Sequence, residues 1–221
     1  MCDGSRCDVT RNAVLEAVLL TLRYAPCMDD LRYITEPKVL KHLLEQTREL
    51  NFSMASEPLV GSLLRSLAAS KPGGRLLELG TGTGISAAWI LDGMSDDATL
   101  VSVDNDAAVQ DVARRALGND RRLTVVTQDG TAFLKKQTAA SFDFVFADAM
   151  PGKYEGTELA LSLVKPGGIF VIDDMLPQPN WPEGHAAKVP VLIDLVAKDK
   201  RFETTPISWA SGVVVAVRKL E

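Results

Sequence analysis

Short runs that are nearly continuous in apolar residues recur along the chain from residue 75 onward, separated by stretches with helical spacing. A continuous apolar run bounded by turn residues is typical of a strand that is buried on both faces of a sheet. Regular alternation of such strands with helices predicts an α/β fold, in which helices cover both faces of a doubly wound parallel sheet. The five predicted strands are Arg75–Gly80, Ala98–Asp104, Leu123–Asp129, Phe142–Asp148 and Gly168–Asp174.

Helices are predicted after these strands, at 84–93, 106–117, 130–137, 154–164 and 186–199. The last two apolar runs, 202–208 and 212–219, are separated only by Trp209, Ala210 and Ser211. Because parallel neighbours need a crossover of about a dozen residues or more, these two strands should form an antiparallel hairpin. The whole pattern predicts a seven-stranded sheet with one reversed strand.

Three further segments with helical spacing precede the first strand, at 10–23, 37–50 and 57–70. We interpret residues 1–50 as an added N-terminal helical extension and residues 51–221 as the main domain. The extension could cap the sheet, or it could form the contact of a homodimer. The sequence does not separate these two options.

The composition is that of an ordinary globular chain: 221 residues, of which 46% are hydrophobic and 24% are charged. The net charge of −5 offers no large cationic surface, so nucleic acid is not the expected partner. Cys2, Cys7 and Cys27 lack metal-ligand spacing, which disfavours a structural zinc site. The first residues lack the basic and apolar run of a signal peptide, and no run of about 18 apolar residues could span a membrane. We therefore expect a cytoplasmic protein without a membrane partner.

Acidic residues end four of the five predicted parallel strands, at Asp104, Asp129, Asp148 and Asp174. A single acid in this position would mean little, because Asp also caps the helix that follows. In an open α/β sheet, however, ligands bind beyond the carboxyl ends of the strands. Four acids at the same edge of the sheet therefore indicate a binding site there.

The most specific motif is the segment Glu78-Leu79-Gly80-Thr81-Gly82-Thr83-Gly84, in which a strand runs into three alternate glycines. Glycine allows positive φ and lets a ligand lie against bare backbone, which makes Gly80 and Gly82 candidate ligand contacts. The dinucleotide fingerprint GxGxxG would need glycine where this chain has Ile85, and no Gly-Lys-Ser/Thr follows. Neither an NAD site nor a P-loop is therefore expected.

Asp104 closes the second predicted strand 24 residues beyond Gly80. From this position a carboxylate reaches the two hydroxyls of a ribose, so the loop and the acid together indicate a nucleoside ligand. A nucleoside that carries positive charge instead of phosphate would be favoured by the carboxylates of Glu78 and Asp148. These features together indicate S-adenosylmethionine.

From about residue 52 to the end, these motifs resemble the class I S-adenosylmethionine-dependent methyltransferases, in particular the O-methyltransferases of the catechol and caffeoyl-CoA type. The resemblance implies a Rossmann-like sheet with the strand order 3-2-1-4-5-7-6. It also implies that Glu78 holds the methionine ammonium, with Gly80 and Ser86 beside it, and that Asp104 binds the ribose. The implied contacts to the methionine part and to adenine come from Ser56 and Gly130, respectively.

The same resemblance implies a divalent cation, usually Mg²⁺, held by an Asp at the end of strand four and an Asp-Asn pair at the end of strand five. The corresponding residues here are Asp148, Asp173 and Asp174, with Asp174 in place of the asparagine. Oxygen ligands with open positions for water suit Mg²⁺ or another hard cation. Alternatively, Asp148 contacts the cofactor alone, and the Asp173-Asp174 pair caps the next loop.

The family carries a general-base lysine three residues after the strand-four Asp, but Pro151 occupies that position here. Tyr154 matches the aromatic residue of the family, so Lys153 is a candidate that either turns into the site or remains a solvated surface lysine. His185 is a second candidate base, because imidazole titrates near neutral pH, with ordinary polar surface as the alternative. We predict Asp148, Lys153 and His185 as the catalytic residues, with metal coordination achieving most of the deprotonation.

The predicted function is methyl transfer to a hydroxyl of a small phenolic or catechol-like molecule. A first alternative is methylation of a hydroxylated wobble uridine in transfer RNA, supported only by the basic pairs Arg114-Arg115 and Arg121-Arg122 and the segment 198–201. A second alternative is a cofactor-binding protein without catalysis, which the missing family lysine suggests.

Overall fold

The computed structural model describes residues 30–220. The chain divides into two compact units between Ile34 and Thr35, and the helices and strands of the described residues lie in the second unit. The predicted helix 10–23 and the three cysteines lie outside the described residues. Across residues 30–220, no helix has the length and apolar character needed to cross a membrane.

The strands within residues 30–220 are β1 (Arg75–Leu79), β2 (Thr99–Asp104), β3 (Leu123–Thr127), β4 (Phe142–Ala147), β5 (Val164–Ile172), β6 (Phe202–Ile207) and β7 (Val213–Arg218). They form one seven-stranded sheet with the order β3-β2-β1-β4-β5-β7-β6. Neighbours from β3 to β5 run parallel, and β7 is antiparallel to both β5 and β6. The predicted fold class, strand order and C-terminal hairpin are confirmed.

The helices of the same residues are α1 (Leu40–Glu49), α2 (Pro58–Ala69), α3 (Ile85–Gly93), α4 (Ala107–Leu117), α5 (Gly130–Leu134), α6 (Met150–Lys153), α7 (Thr157–Leu163) and α8 (Lys188–Lys198), with a 3₁₀ turn at His185–Ala187. Helix α1 belongs to the same compact unit as the sheet, and its Thr47 hydroxyl lies 2.7 Å from that of Thr83 in the glycine loop. The division of the chain at residue 50, and the use of the extension as a cap or dimer contact, stay predictions.

The fifth strand begins earlier than predicted. β5 starts at Val164, which pairs with Phe142, and the pairing becomes irregular before it resumes at Phe144. The Lys-Pro-Gly-Gly segment at 165–168 therefore lies within the strand, although the sequence predicted that the strand begins only at Gly168. The helix predicted at 154–164 was also too long, because α7 begins at Thr157 after Gly156, whose φ of 71° interrupts the helix.

The central strands are buried on both faces, as their apolar sequences predict. Leu76 and Leu77 in β1, and Phe144 and Phe146 in β4, are fully buried. Burial of one such side chain contributes about 1.5–3 kcal/mol to folding. The buried strands therefore stabilise the sheet that carries the polar residues at its edge.

Two backbone hydrogen bonds connect the segments that leave β1 and β4 to the neighbouring strands β2 and β1, respectively. The N–H of Gly80 donates to the carbonyl of Val103 over 2.8 Å, and the N–H of Asp148 donates to the carbonyl of Leu79 over 2.8 Å. Because these bonds continue the sheet beyond its strands, the glycine loop and Asp148 lie side by side at the carboxyl edge.

Candidate active site

A cavity of about 350 Å³ opens where β1, β2 and β4 end. Its walls are formed by the glycine loop, by residues 148–151 after β4 and by residues 52–56 ahead of α2. Sequence reasoning missed Phe52, whose ring lies 3.2 Å from the position that a Cβ on Gly82 would take. The cavity brings together most of the predicted cofactor residues: Ser56, Gly80, Gly82, Ser86, Asp104 and Asp148.

The glycine loop needs glycine for both conformational and steric reasons. Gly80 has a φ of 105° and Gly84 a φ of 91°, in the region that L side chains rarely adopt. A Cβ on Gly80 would lie 2.6 Å from the carbonyl oxygen of Asp148, and one on Gly84 would lie 2.7 Å from the Cβ of Ala113. The loop therefore needs glycine in order to pack against Asp148 and against α4, and the contact of its backbone with a ligand stays a prediction.

Asp104 shapes the loop as well as lining the cavity. Its Oδ2 accepts a hydrogen bond from the backbone N–H of Gly82 over 2.9 Å, and its Oδ1 accepts one from the N–H of Asp106 over 3.0 Å. These two bonds fix the orientation of the carboxylate at the cavity wall. Each carboxylate oxygen has a further acceptor site, which leaves Asp104 able to bind a diol.

Glu78 lies one layer behind the cavity wall. Its side chain is fully buried, its Oε2 accepts a hydrogen bond from the Ser102 hydroxyl, and its Oε1 has no partner among the described residues. Burial raises the pKa of Glu78 from its usual 4.5 to about 8, so this acid is mostly protonated at neutral pH. The contact between Glu78 and the methionine ammonium stays a prediction, and Ser86 is the neighbour that reaches the cavity.

A polar network that sequence reasoning missed supports the loop from below. The Thr81 hydroxyl lies 2.7 Å from the Ser102 hydroxyl and accepts a hydrogen bond from the Gln110 amide over 2.8 Å. Gln110 is fully buried on α4, on the same face as Ala113 and Leu117. A polar residue at a core position of an apolar helix face is the signal that could have identified it.

Gly130, to which the resemblance assigns the adenine contact, is not among the residues that line the large cavity, and its role stays a prediction. It lines a smaller neighbouring space of about 50 Å³ together with Asp104, Asn105 and Pro151. A Cβ on Gly130 would lie 2.6 Å from the Cβ of Pro151. The proline that replaces the family lysine thus packs directly against the predicted adenine-binding glycine.

Lys153 is buried, and its reading as a solvated surface lysine is wrong. Its side chain is 7% exposed, with the Nζ atom 2.7 Å from Asp148 Oδ1 and 3.6 Å from Asp174 Oδ2. Burial alone would lower the pKa of Lys153, but the two carboxylates outweigh this effect and raise it, so the group is an ammonium. Ser56, predicted as a backbone contact, donates its hydroxyl to Asp148 Oδ2 over 3.3 Å.

The three predicted metal ligands line the same small polar space, but they are not arranged as a metal-binding group. Asp173 is almost fully buried, and its Oδ1 accepts hydrogen bonds from the Ser211 hydroxyl and, over 2.7 Å, from the N–H of Asp174. Burial, with a smaller effect from Asp148, raises the pKa of Asp173 to about 7. Among residues 30–220, no group of three or more His, Cys, Asp or Glu side chains is arranged to hold a metal ion. The residues as they stand therefore do not fit the divalent cation that the resemblance implies.

His185 forms an aromatic cluster beside Lys153. The Tyr154 hydroxyl lies 3.1 Å from His185 Nε2, and the ring centroids of Trp181 and His185 are 4.6 Å apart. Burial and the nearby Lys153 ammonium lower the pKa of His185, so the imidazole is neutral at pH 7. A base role for His185 stays a prediction, and its Nε2 faces the Tyr154 hydroxyl.

Two comparisons of sequence bear on the family. Residues 77–175 match a family model described as a methyltransferase domain. A Mycobacterium ulcerans protein that carries the name O-methyltransferase is 29% identical over 195 residues, which cover 84% of this chain and 87% of that protein.

Solved structures share the fold. The O-methyltransferase TomG from Streptomyces achromogenes, solved in complex with S-adenosylmethionine, is 25% identical and has a TM-score of 0.71 over 85% of this chain and 92% of that one. An O-methyltransferase from Bacillus cereus, in complex with S-adenosylhomocysteine, is 23% identical and has a TM-score of 0.72 over 85% of this chain and 93% of that one. The predicted resemblance is therefore confirmed: residues 77–175 of this chain match a methyltransferase-domain model, and the chain is similar along most of its length to proteins named O-methyltransferase.

Proposed function

We propose that this chain transfers a methyl group from S-adenosylmethionine to a hydroxyl of a small phenolic molecule. The observation that carries the proposal is the position of Asp148. This residue lines the large cavity and also pairs with the buried ammonium of Lys153. A cavity of about 350 Å³ falls within the range of small-molecule sites. One residue thus joins a nucleoside-sized space to a charged cluster suited to an acceptor oxygen.

In this proposal different residues of the site contact different parts of the cofactor. The Asp104 carboxylate accepts hydrogen bonds from the ribose hydroxyls, the backbone of Gly80 and Gly82 borders the nucleoside, and Gly130 borders adenine. Ser56 and Ser86 lie toward the methionine part. When bound, S-adenosylmethionine supplies an electrophilic methyl group on its sulfonium.

The acceptor is proposed to enter a second, polar space of about 60 Å³, which shares Met54, Ala55, Ser56 and Asp148 with the first cavity. Its other walls include Asp173, Asp174, Gln178 and Asn180. Because Lys153 already carries its proton, an acidic phenolic hydroxyl suits this site better than an alcohol.

The transfer-RNA alternative loses support from the ion pairs of its basic residues. Many of the positive charges on which it relied face a carboxylate within 2.7 Å, which reduces the potential offered to a phosphate backbone. These pairs are Arg115–Asp111, Arg122–Asp120, Lys198–Asp194 and Arg201–Asp199. A cytoplasmic location stays a prediction.

The test combines calorimetry with a turnover assay. We expect binding of S-adenosylmethionine and S-adenosylhomocysteine, no binding of NAD, and methylation of members of a phenol and catechol panel. Cofactor binding without turnover on the panel would favour the non-catalytic alternative, and methylation of bulk transfer RNA would favour the RNA alternative. If S-adenosylmethionine does not bind, the proposed function is wrong.

A further inference from the structure

The ammonium of Lys153 lies among the carboxylates that the resemblance assigns to a metal ion. We propose that Lys153 is the resident cation of this cluster and holds the acceptor oxygen itself, so that methyl transfer by this chain requires no divalent metal. The inference rests on the proposed function, since it assigns the group that orients the acceptor. Its basis is the position of Lys153 Nζ, 2.7 Å from Asp148 Oδ1 and 3.6 Å from Asp174 Oδ2.

The backbone turn at residues 150–155 directs Lys153 inward. Gly152 has a φ of 90°, and a Cβ at this position would overlap the side chain of Leu79, so the turn requires glycine. The N–H of Gly152 donates to the carbonyl of Glu155 over 2.8 Å, and the carbonyl of Lys153 accepts a hydrogen bond from the Thr157 hydroxyl. The buried position of the lysine is therefore built by the chain around it, two residues beyond the proline that replaces the family lysine.

A divalent cation would have to compete with this arrangement. Mg²⁺ needs close to ideal octahedral coordination by oxygen, and Ca²⁺ needs six to eight oxygen ligands. The Oδ1 atom of Asp173 is already occupied by Ser211 and by the backbone of Asp174, and Asp148 is already paired with the ammonium. A metal beside Lys153 would also place two positive charges next to each other, which is unfavourable at a buried site.

The geometry leaves the ammonium able to act on an acceptor. An ammonium has three N–H donors, of which one bonds to Asp148 and a second faces Asp174. Lys153 lies behind these two carboxylates, which line the second space themselves, and in the proposal its third donor reaches an acceptor oxygen that enters between them. In the proposed step the phenolic proton is released to water, and Lys153 stabilises the phenolate that remains. The phenolate oxygen then bonds to the methyl carbon as the carbon–sulfur bond breaks, and the electron pair of that bond stays on sulfur. Lys153 keeps its proton throughout.

The first experiment titrates the full-length protein with Mn²⁺ and follows free Mn²⁺ by electron paramagnetic resonance. The wild-type protein should show no saturable site, whereas Lys153→Ala, which leaves the carboxylates without their cation, should gain a saturable Mn²⁺ site. Lys198→Ala is the control, because this lysine also pairs with an aspartate, Asp194, but is exposed on α8. A stoichiometric Mn²⁺ site in the wild-type protein would overturn the proposal.

The second experiment measures turnover of the wild-type protein and of Lys153→Met in excess EDTA. Wild-type kcat should remain within about twofold, whereas Lys153→Met should lose about 10²–10³-fold in kcat with cofactor affinity retained, as expected when one stabilising contact to a developing charge is removed. If EDTA abolishes wild-type turnover and Mg²⁺ restores it, Lys153 is not the cation that serves the acceptor.

The two proposals fail in different measurements. Calorimetry with S-adenosylmethionine tests the proposed function without involving Lys153, whereas the Mn²⁺ titration tests the resident cation without involving turnover. A protein that binds the cofactor and also binds Mn²⁺ stoichiometrically would retain the proposed function and refute the present inference.

Discussion

On the β1–β2 side of the site, the glycine loop and Asp104 are joined through a backbone N–H, whereas on the β4–β5 side charged side chains are held by partners from distant parts of the chain. Ser56 contacts Asp148, and Ser211 contacts Asp173. The first half depends on particular backbone conformations, which glycine permits locally. The second half depends on charges that only folding brings together.

Glu78 and Asp148, one from each half, are buried acids with different partners. Glu78, behind the glycine loop, is mostly protonated at neutral pH because burial raises its pKa to about 8. Asp148 is instead paired with the Lys153 ammonium. Removal of one partner from a buried ion pair costs about 3–5 kcal/mol, so the second half should be the more sensitive of the two to a change of charge.

The largest expected effect is that of Asp148→Asn, because this residue lines both cavities and pairs with Lys153. We expect kcat to fall by about 10³-fold, and the free energy of unfolding to fall by about 3 kcal/mol as the ammonium loses its nearest carboxylate. Steady-state kinetics and urea unfolding measure the two effects. Asp194→Asn, at an exposed ion pair, is the control. Turnover close to the wild-type value would mean that the two halves of the site work independently.

Gly80→Ala tests the conformational requirement of the first half. Gly80 and Gly184 both have positive φ, but a Cβ on Gly80 would lie 2.6 Å from a backbone oxygen, whereas a Cβ on Gly184 would meet nothing within 4 Å. Both variants should lose about 1–2 kcal/mol of stability through backbone strain, with a further loss for Gly80→Ala. Only Gly80→Ala should weaken cofactor binding in calorimetry, by about 100-fold or more. Equal affinities for both variants would show that the loop does not border the ligand.

Asp104→Ala removes the proposed ribose contact. Loss of hydrogen bonds to a charged group costs about 1.5–3 kcal/mol, so cofactor affinity should fall by about 10- to 150-fold. Calorimetry measures this change, and Asp111→Ala, at an exposed pair with Arg115, provides the control. Unchanged affinity would restrict Asp104 to its hydrogen bonds with the backbone of the loop.

The smallest expected effect, and one that depends on pH, is that of Glu78→Gln. Below pH 4.5 both the folded and the unfolded chain carry the proton on Glu78, and between 4.5 and about 8 mainly the folded chain does, so stability falls as the pH rises through this window. Glutamine has no such proton, and the Tm of Glu78→Gln should therefore rise relative to wild type between pH 5 and 8, by about a few degrees. Glu183→Gln, on the surface, should show no such trend. A constant difference in Tm would mean that Glu78 is ionised in the folded protein.

The glycine loop and the strand-end acids could be predicted because each depends on residue type at one place in the chain. Gly80 and Gly84 have positive φ, which glycine alone tolerates easily, and Asp104 directly ends a strand. The start of β5 at Val164 could not be predicted, because a Lys-Pro-Gly-Gly segment favours a turn, and only pairing with β4 holds it in the strand.

The sequence by itself determined the alternation of strands and helices, the order of the sheet through a recognised motif, and the cavity that the glycine loop borders. Hydrophobic periodicity and glycine conformation depend only on residues that are close in sequence, so both can be inferred without the tertiary structure. Only the tertiary structure decided which acidic side chains are protonated and which charged groups are paired. Burial makes Glu78 a protonated acid, and the turn at Gly152 places the Lys153 ammonium 2.7 Å from Asp148. Solvation and the distance between charges depend on the whole fold, and for that reason a lysine that the sequence favoured as surface lies buried at the centre of the candidate site.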